Sequence, residues 1–191
     1  MIVYLHGLNS AGSSAKATWL RKQLAPVQVL SPTYPAHRAH EAMAQLRAYL
    51  ASLRSQQDRL LLVGSSLGGC YAPVLAPEFH AGMVLINPAV NPHIGLRGHV
   101  GPQANEATGE RYVLTDADVD AFGAYALQEC RRQTPTLVLI DEADEVIDVR
   151  AVRQFYRGCG CTIVYPGGSH RFEHLPQALP EIRALYASLA A

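Results

Sequence analysis

Leu60-Leu61-Leu62-Val63-Gly64-Ser65-Ser66-Leu67-Gly68 runs from a continuous apolar stretch into a serine flanked by glycines. The four apolar residues have the pattern of a parallel strand buried on both faces. From Leu67 onward, through Tyr71, Val74 and Leu75, apolar positions recur at helical spacing. Gly-x-Ser-x-Gly at a strand-to-helix junction is the pattern of a nucleophile elbow. The turn is so tight that the residues two before and two after the serine must lack bulk. It also holds the serine in strained backbone geometry with its hydroxyl above the sheet. Glycine stands on both sides only when Ser66 is central; centring on Ser65 gives Val63 and Leu67 instead. Ser66 is therefore the candidate nucleophile. Glycine and serine also meet in plain turns, so the reading depends on finding an acid, a base and an oxyanion hole elsewhere.

Working outward, six apolar, β-rich runs recur: Ile2–Leu5, Val27–Leu30, Leu60–Val63, Met83–Ile86, Thr136–Ile140 and Thr162–Tyr165. Helices are expected around Lys16–Ala25, His40–Arg54, Leu67–Leu75, Asp116–Arg132, Val149–Tyr156 and Pro176–Leu189. Alternation of this kind predicts an α/β fold, a six-stranded and mostly parallel sheet with helices on both faces. Such sheets bind ligands beyond the carboxyl ends of their strands. Every polar candidate for chemistry follows a strand: His6-Gly7-Leu8-Asn9, Ser31-Pro32-Thr33-Tyr34, Gly64-Ser65-Ser66, Asn87-Pro88, Asp141-Glu142-Ala143-Asp144 and Gly167-Gly168-Ser169-His170. One shared site accounts for all of them.

The chain of 191 residues reads as a single domain over 1–191, large enough to bury roughly 70% of its unfolded surface. Residues 91–132 break the alternation. Asn91 to about Thr115 is rich in Gly, Pro, His and Asn with little periodicity, and is expected to form a small lid or cap, the bland alternative being a surface loop. Formal net charge is zero and no basic block occurs, so neither nucleic acid nor an anionic membrane is an expected partner. Met1 leads directly into the first strand and no apolar run is long enough to span a bilayer, so no integral membrane association and a cytoplasmic location are expected. The four cysteines, Cys70, Cys130, Cys159 and Cys161, do not suggest a disulfide framework in that setting. Cys159-Gly-Cys161 reads as two thiols at a turn, because no second ligand pair stands at metal spacing.

A serine hydroxyl needs a base, and the base needs a carboxylate to set its tautomer. Asp144 follows the fifth run by a short loop and is the best-placed acid. Asp141 fits the turn itself, and Asp148 fits the cap of the next helix; with Glu142 they are the competitors. His170 directly follows the last run, behind two glycines that let the loop fold its imidazole over the sheet. His174 is expected at the surface. The order Ser66, Asp144, His170 is the one found in α/β-hydrolases. An oxyanion hole needs two backbone N–H groups: Leu67, after the nucleophile, and Leu8, in the loop after the first run. His6 is expected to be a buried structural histidine, with Asn9 and Ser10 stiffening the same loop. Tyr34 and Tyr71 are candidates for lining the substrate pocket, with core packing as the alternative. His37, His40, His93 and His99 have no metal-ligand spacing and receive no chemistry, although those in the expected lid could touch substrate.

Tyr4-Leu5-His6-Gly7-Leu8-Asn9-Ser10, Leu62-Val63-Gly64-Ser65-Ser66-Leu67-Gly68-Gly69, Asn87-Pro88-Ala89-Val90, Asp144-Glu145-Val146-Ile147-Asp148 and Gly167-Gly168-Ser169-His170-Arg171-Phe172 together carry a family likeness. Through them essentially the whole chain resembles the YqiA/YcfP type of small bacterial α/β-hydrolase. The resemblance implies a compact α/β-hydrolase fold lacking the first two strands of larger relatives, and esterase activity on acyl esters or thioesters. Ser66, Asp144 and His170 match the family's triad positions. Cys70 stands where an aromatic residue is common, and Asp141 where Thr-Gly or similar is usual; neither touches the triad.

The leading expectation is a serine esterase or thioesterase acting through an acyl-enzyme on a small-molecule substrate, needing no metal or cofactor. Peptidase or lactonase chemistry could use the same triad, and a non-catalytic ligand-binding protein could use the same scaffold.

Overall fold

The computed structural model describes residues 1–53 and 59–189. Six strands form one sheet: β1 (Ile2–Leu5), β2 (Val29–Leu30), β3 (Leu61–Ser65), β4 (Gly82–Ile86), β7 (Thr136–Asp141) and β8 (Cys161–Tyr165). They lie in the order β2-β1-β3-β4-β7-β8, and every neighbouring pair is parallel. Within each continuous apolar run, successive side chains point to opposite faces. Val3, Leu5, Leu62, Met83, Leu85, Val138 and Ile140 pack on the side of α2 (Ala39–Leu53), α3 (Gly68–Glu78) and α6 (Val149–Phe155). Ile2, Tyr4, Leu61, Val63, Val84, Ile86, Leu137 and Leu139 pack on the side of α1 (Ala15–Gln23) and α7 (Leu175–Ser188). Both faces are thus covered, which is why these runs carry no polar alternation.

Most expected elements form within a few residues of their expected bounds; Arg54 lies outside the described residues. The second strand is shorter than its apolar run, because only Val29 and Leu30 pair with β1 at this edge of the sheet. The third continues through Gly64 and Ser65 to the turn. No helix among the described residues is long and apolar enough to cross a membrane.

The segment between β4 and β7 differs most from its expectation. It holds a short helix α4 (Pro92–Gly95), a 3-10 turn (Leu96–His99) and an antiparallel hairpin, β5 (Gly101–Asn105) with β6 (Glu110–Leu114). Gly101, Pro102 and Asn105 mask the strand signal of β5, whereas Tyr112 and Leu114 turn inward from β6 between more exposed neighbours. The helix expected over Asp116–Arg132 is only α5 (Asp116–Ala121), started by a Thr115–Asp118 capping box. A 3-10 turn, Phe122–Tyr125, then buries Phe122 against Tyr71. Beyond it the chain leaves helical geometry and brings Cys130 to Cys159.

Those two cysteines form a disulfide with Cα atoms 6.2 Å apart. The expectation of no disulfide is corrected here: the partners are 29 residues apart in sequence, and only the packed fold brings them together. Cys70 and Cys161 are free. A denatured, unreduced sample should therefore react with two equivalents of thiol reagent, at Cys70 and Cys161. Closing a loop of this length constrains the unfolded chain, so reduction should lower the unfolding free energy in a urea titration by roughly 3–4 kcal/mol.

Candidate active site

The turn after β3 carries Ser66 at φ 54°, a left-handed conformation rarely adopted by a residue with a side chain. Its neighbours explain how the turn closes. A Cβ on Gly64 would run into the Gly68 carbonyl, and one on Gly68 into the carbonyl of Leu5 on β1. The Ser66 N–H donates to Ile86 O of β4 at 3.0 Å, and its carbonyl accepts from Ala89 N at 3.0 Å. The serine is thereby anchored to β4 and the segment that follows it, and its hydroxyl faces the carboxyl end of the sheet.

His170 Nε2 lies 2.9 Å from Ser66 Oγ, and His170 Nδ1 lies 2.9 Å from Asp144 Oδ2. A carboxylate only accepts, so Nδ1 carries the proton and Nε2 is left to accept from the serine. The Asp144 side chain is fully buried. Burial pushes its carboxyl upward, but hydrogen bonds from His170 and from the Ile147 and Val146 amides outweigh this and hold it below the ordinary aspartate value. Asp144 therefore remains a carboxylate beside the imidazole. Asp148 caps α6 through the Arg150 and Ala151 amides.

The loop bearing His170 is held by a polar frame. The carboxylate of Asp141, wholly buried at the end of β7, accepts from Ser169 N at 3.2 Å, Glu173 N at 2.7 Å and His174 Nδ1 at 2.7 Å. Asn87, at the end of β4, accepts from Asp141 N and donates to the carbonyls of Ser169 and His170. Glu145 accepts the His170 amide at 2.9 Å, and Lys16 donates to the Arg171 carbonyl at 2.7 Å. In the sequence Asp141 fits the turn after its strand, and nothing but its place at a strand end marks Asn87 for this role. Their signal was a polar residue at the end of a buried strand. His174, expected at the surface, is instead partly buried, bonded to Asp141 and stacked on Tyr165.

His6 is buried, with Nδ1 donating to Gly7 O at 2.9 Å and Nε2 accepting from Tyr34 N at 3.3 Å. It thus ties the loop after β1 to the loop after β2. Gly7 packs against Ser66, where an added Cβ would lie 3.0 Å from the serine Cβ. Next to it, the Leu8 N–H has no acceptor among the described residues, and neither has the Leu67 N–H. Two free donors therefore stand beside Ser66. Tyr34 and Tyr71, candidates for lining the substrate pocket with core packing as the alternative, take the core positions: both are buried, and their hydroxyls donate to the carbonyls of His6 and Ala36.

Ser66 and His170 open into a cleft of about 520 Å³ walled by Leu8, Leu67, Val90, Ile94, Leu96 and Ile147. That is within the range of small-molecule sites. Exposed Ile94 (64%) and Val146 (52%, on the loop after β7) stand at its rim, beside the polar Asn91, His99 and Asp148.

Comparison with known proteins bears on the family and the fold. The model of a family described as "Uncharacterised protein family (UPF0227)" matches residues 1–187. Among solved structures, mouse alpha/beta hydrolase domain-containing protein 10 superposes with a TM-score of 0.76 at 16% identity, over 99% of this chain and 90% of that one. A monoacylglycerol lipase from Paleococcus ferrophilus gives 0.70 at 20% identity, over 98% and 93%. Est1E from Butyrivibrio proteoclasticus gives 0.70 at 16%, over 97% and 85%. The fold is that of the α/β-hydrolases.

Burial lowers the proton affinity of His6, against a smaller opposite effect of its bond to Gly7 O. Burial likewise lowers that of His37, a buried histidine after β2. Unfolded imidazoles take a proton near pH 6.5, while these resist it, so acid favours the unfolded chain. Urea midpoints should be highest above about pH 7 and fall as pH drops below about 6.5. In His6→Asn that fall should be shallower, whatever the variant's absolute stability.

Proposed function

The chain belongs to the uncharacterised protein family UPF0227, and on the geometry of its site we propose that it is a serine hydrolase cleaving carboxylic esters or acyl thioesters. The observation that carries the reading is the continuous line of hydrogen bonds from Ser66 Oγ through His170 to Asp144, each at 2.9 Å, opening on an apolar cleft.

In this reading Ser66 Oγ attacks the substrate carbonyl while His170 Nε2 takes its proton. Asp144 holds the tautomer and stabilises the imidazolium. The carbonyl oxygen becomes negative and meets the free N–H groups of Leu8 and Leu67, aided by the positive end of α3. Collapse expels the alcohol or thiol, which leaves with the proton from His170, and the acyl group remains on Ser66. Water, deprotonated by His170, then attacks the acyl-enzyme; the bond from Ser66 Oγ to the acyl group breaks, His170 returns the proton to Oγ, and the acid is released. The sequence of steps draws on no metal or cofactor. The apolar walls and the exposed Ile94 and Val146 at the rim suit a hydrocarbon acyl group.

A fluorophosphonate probe should label Ser66, as read by peptide mass. Ser66→Ala should abolish labelling and lower turnover of p-nitrophenyl esters roughly 10⁴–10⁶-fold, and undiminished turnover in that variant would refute the proposal. Asp144→Asn should keep the fold by circular dichroism and lose about 10⁴-fold in kcat, because its amide favours the wrong histidine tautomer.

A further inference from the structure

The hairpin between β4 and β7 reaches the loop that carries the Leu8 N–H. Asn9, the next residue, sits at φ 51°, and its side-chain amide is gripped at both ends. Tyr112 OH donates to Asn9 Oδ1 at 2.8 Å, and Asn9 Nδ2 donates to Gln103 Oε1 at 3.0 Å. Gln103 and Tyr112 are direct cross-strand partners in the β5–β6 register, so one rung of the hairpin forms the whole clamp. Two residues further along β5, on the same face, Asn105 Nδ2 donates to Ser10 O at 3.0 Å. The hairpin therefore makes three hydrogen bonds to the two residues that follow Leu8.

The clamp is itself held. The Tyr112 ring stacks on buried His37 with centroids 3.7 Å apart and planes within 15°. Burial pushes the Tyr112 phenol up to about 12, so it stays protonated, and a donor, throughout the neutral range. The other end of the Gln103 amide donates to His99 O at 2.7 Å, and His99 lines the cleft. The cleft wall, the hairpin and the loop after β1 are thereby joined through one side chain.

We propose that the β5–β6 hairpin is a brace for the oxyanion loop, with Asn9 as the positioning residue through which it holds the Leu8 N–H in place. This rests on the serine-hydrolase reading above. An oxyanion donor is useful only when its position is fixed in advance, and a displacement of about 1 Å can cost a hundredfold in rate. The loop from Gly7 to Ser10 lies outside any helix or strand, is only partly buried, and has a free N–H at its working position. It cannot hold that N–H still by its own ladder. The hairpin supplies the missing restraint, a different task from the covering lid expected of this segment.

Three variants test the brace. Tyr112→Phe removes one hydroxyl and keeps the stack on His37. Asn9→Gly keeps the left-handed turn and removes the clamped amide, and Asn9→Asp keeps only the acceptor. With p-nitrophenyl acetate, Tyr112→Phe and Asn9→Gly should each lose about tenfold in kcat with KM within about twofold. Affinity for a trifluoromethyl ketone, which forms a tetrahedral oxyanion on the serine, should fall in step with kcat/KM. Asn9→Asp should recover part of the loss, the double variant should be no worse than Asn9→Gly, and the pH midpoint of kcat should stay unchanged. Wild-type kcat in stably folded Asn9→Gly, or losses that add in the double variant, would overturn the proposal. Hydrogen exchange over residues 8–10 gives a readout independent of activity. It should speed up in Asn9→Gly, and unchanged exchange would overturn the brace. A wild type inactive on every ester would count against the hydrolase reading alone.

Discussion

A backbone contact organises this molecule: Gly68, opening α3, lies so close to the Leu5 carbonyl at the end of β1 that a methyl group would collide with it. That approach brings α3 down over the sheet immediately after β3, leaving only Ser66 and Leu67 between strand and helix, with Ser66 reversing the chain at φ 54°. The strained residue is pinned by Ile86 O on one side and by Ala89 N on the other. Strain of this kind persists only where its surroundings over-determine it. Here they do, and the residue so held carries the hydroxyl.

The same economy of position governs the histidine. Its loop approaches the sheet on Gly168, where a side chain would strike the Asp141 carboxylate. Burying a carboxylate is costly unless it is well hydrogen-bonded, and Asp141 receives Ser169 N, Glu173 N and His174. The two Asp–His pairs, Asp144–His170 and Asp141–His174, lie side by side with different neighbours. One faces Ser66. The other fixes the loop on which the first depends.

Much of this was legible from the chain. The buried parallel runs and the turn at Gly64–Gly68 follow from patterns a few residues long, whereas Asp144 and His170 stand out by their places after strands and by the Ser-Asp-His order of the α/β-hydrolases. His6 was legible as a structural histidine from its motif, in which that residue is usually buried and bonded to the loop backbone, and it is buried and bonded to Gly7 O. What was not legible has a common character. Tyr34 and Tyr71 stand at a strand end and a helix turn that suit either a pocket wall or the core, and only the packing turns their hydroxyls toward the carbonyls of His6 and Ala36. The hairpin escaped notice because β5 contains Gly101, Pro102 and Asn105, residues poor in strand propensity that are held by pairing with β6. The disulfide escaped notice because loop closure over 29 residues leaves no local mark.

Periodicity and glycine sterics act over a few residues, so the chain alone shows which residues arrive at the carboxyl edge of the sheet and in what order. What each of them touches there depends on packing. The Asn9 clamp needs Gln103 and Tyr112, about a hundred residues away, to meet in register across a hairpin, and the Asp141 frame needs the loops after β4, β7 and β8 to converge. Contacts of that range are set by how the layers pack, and packing is a property of the whole chain.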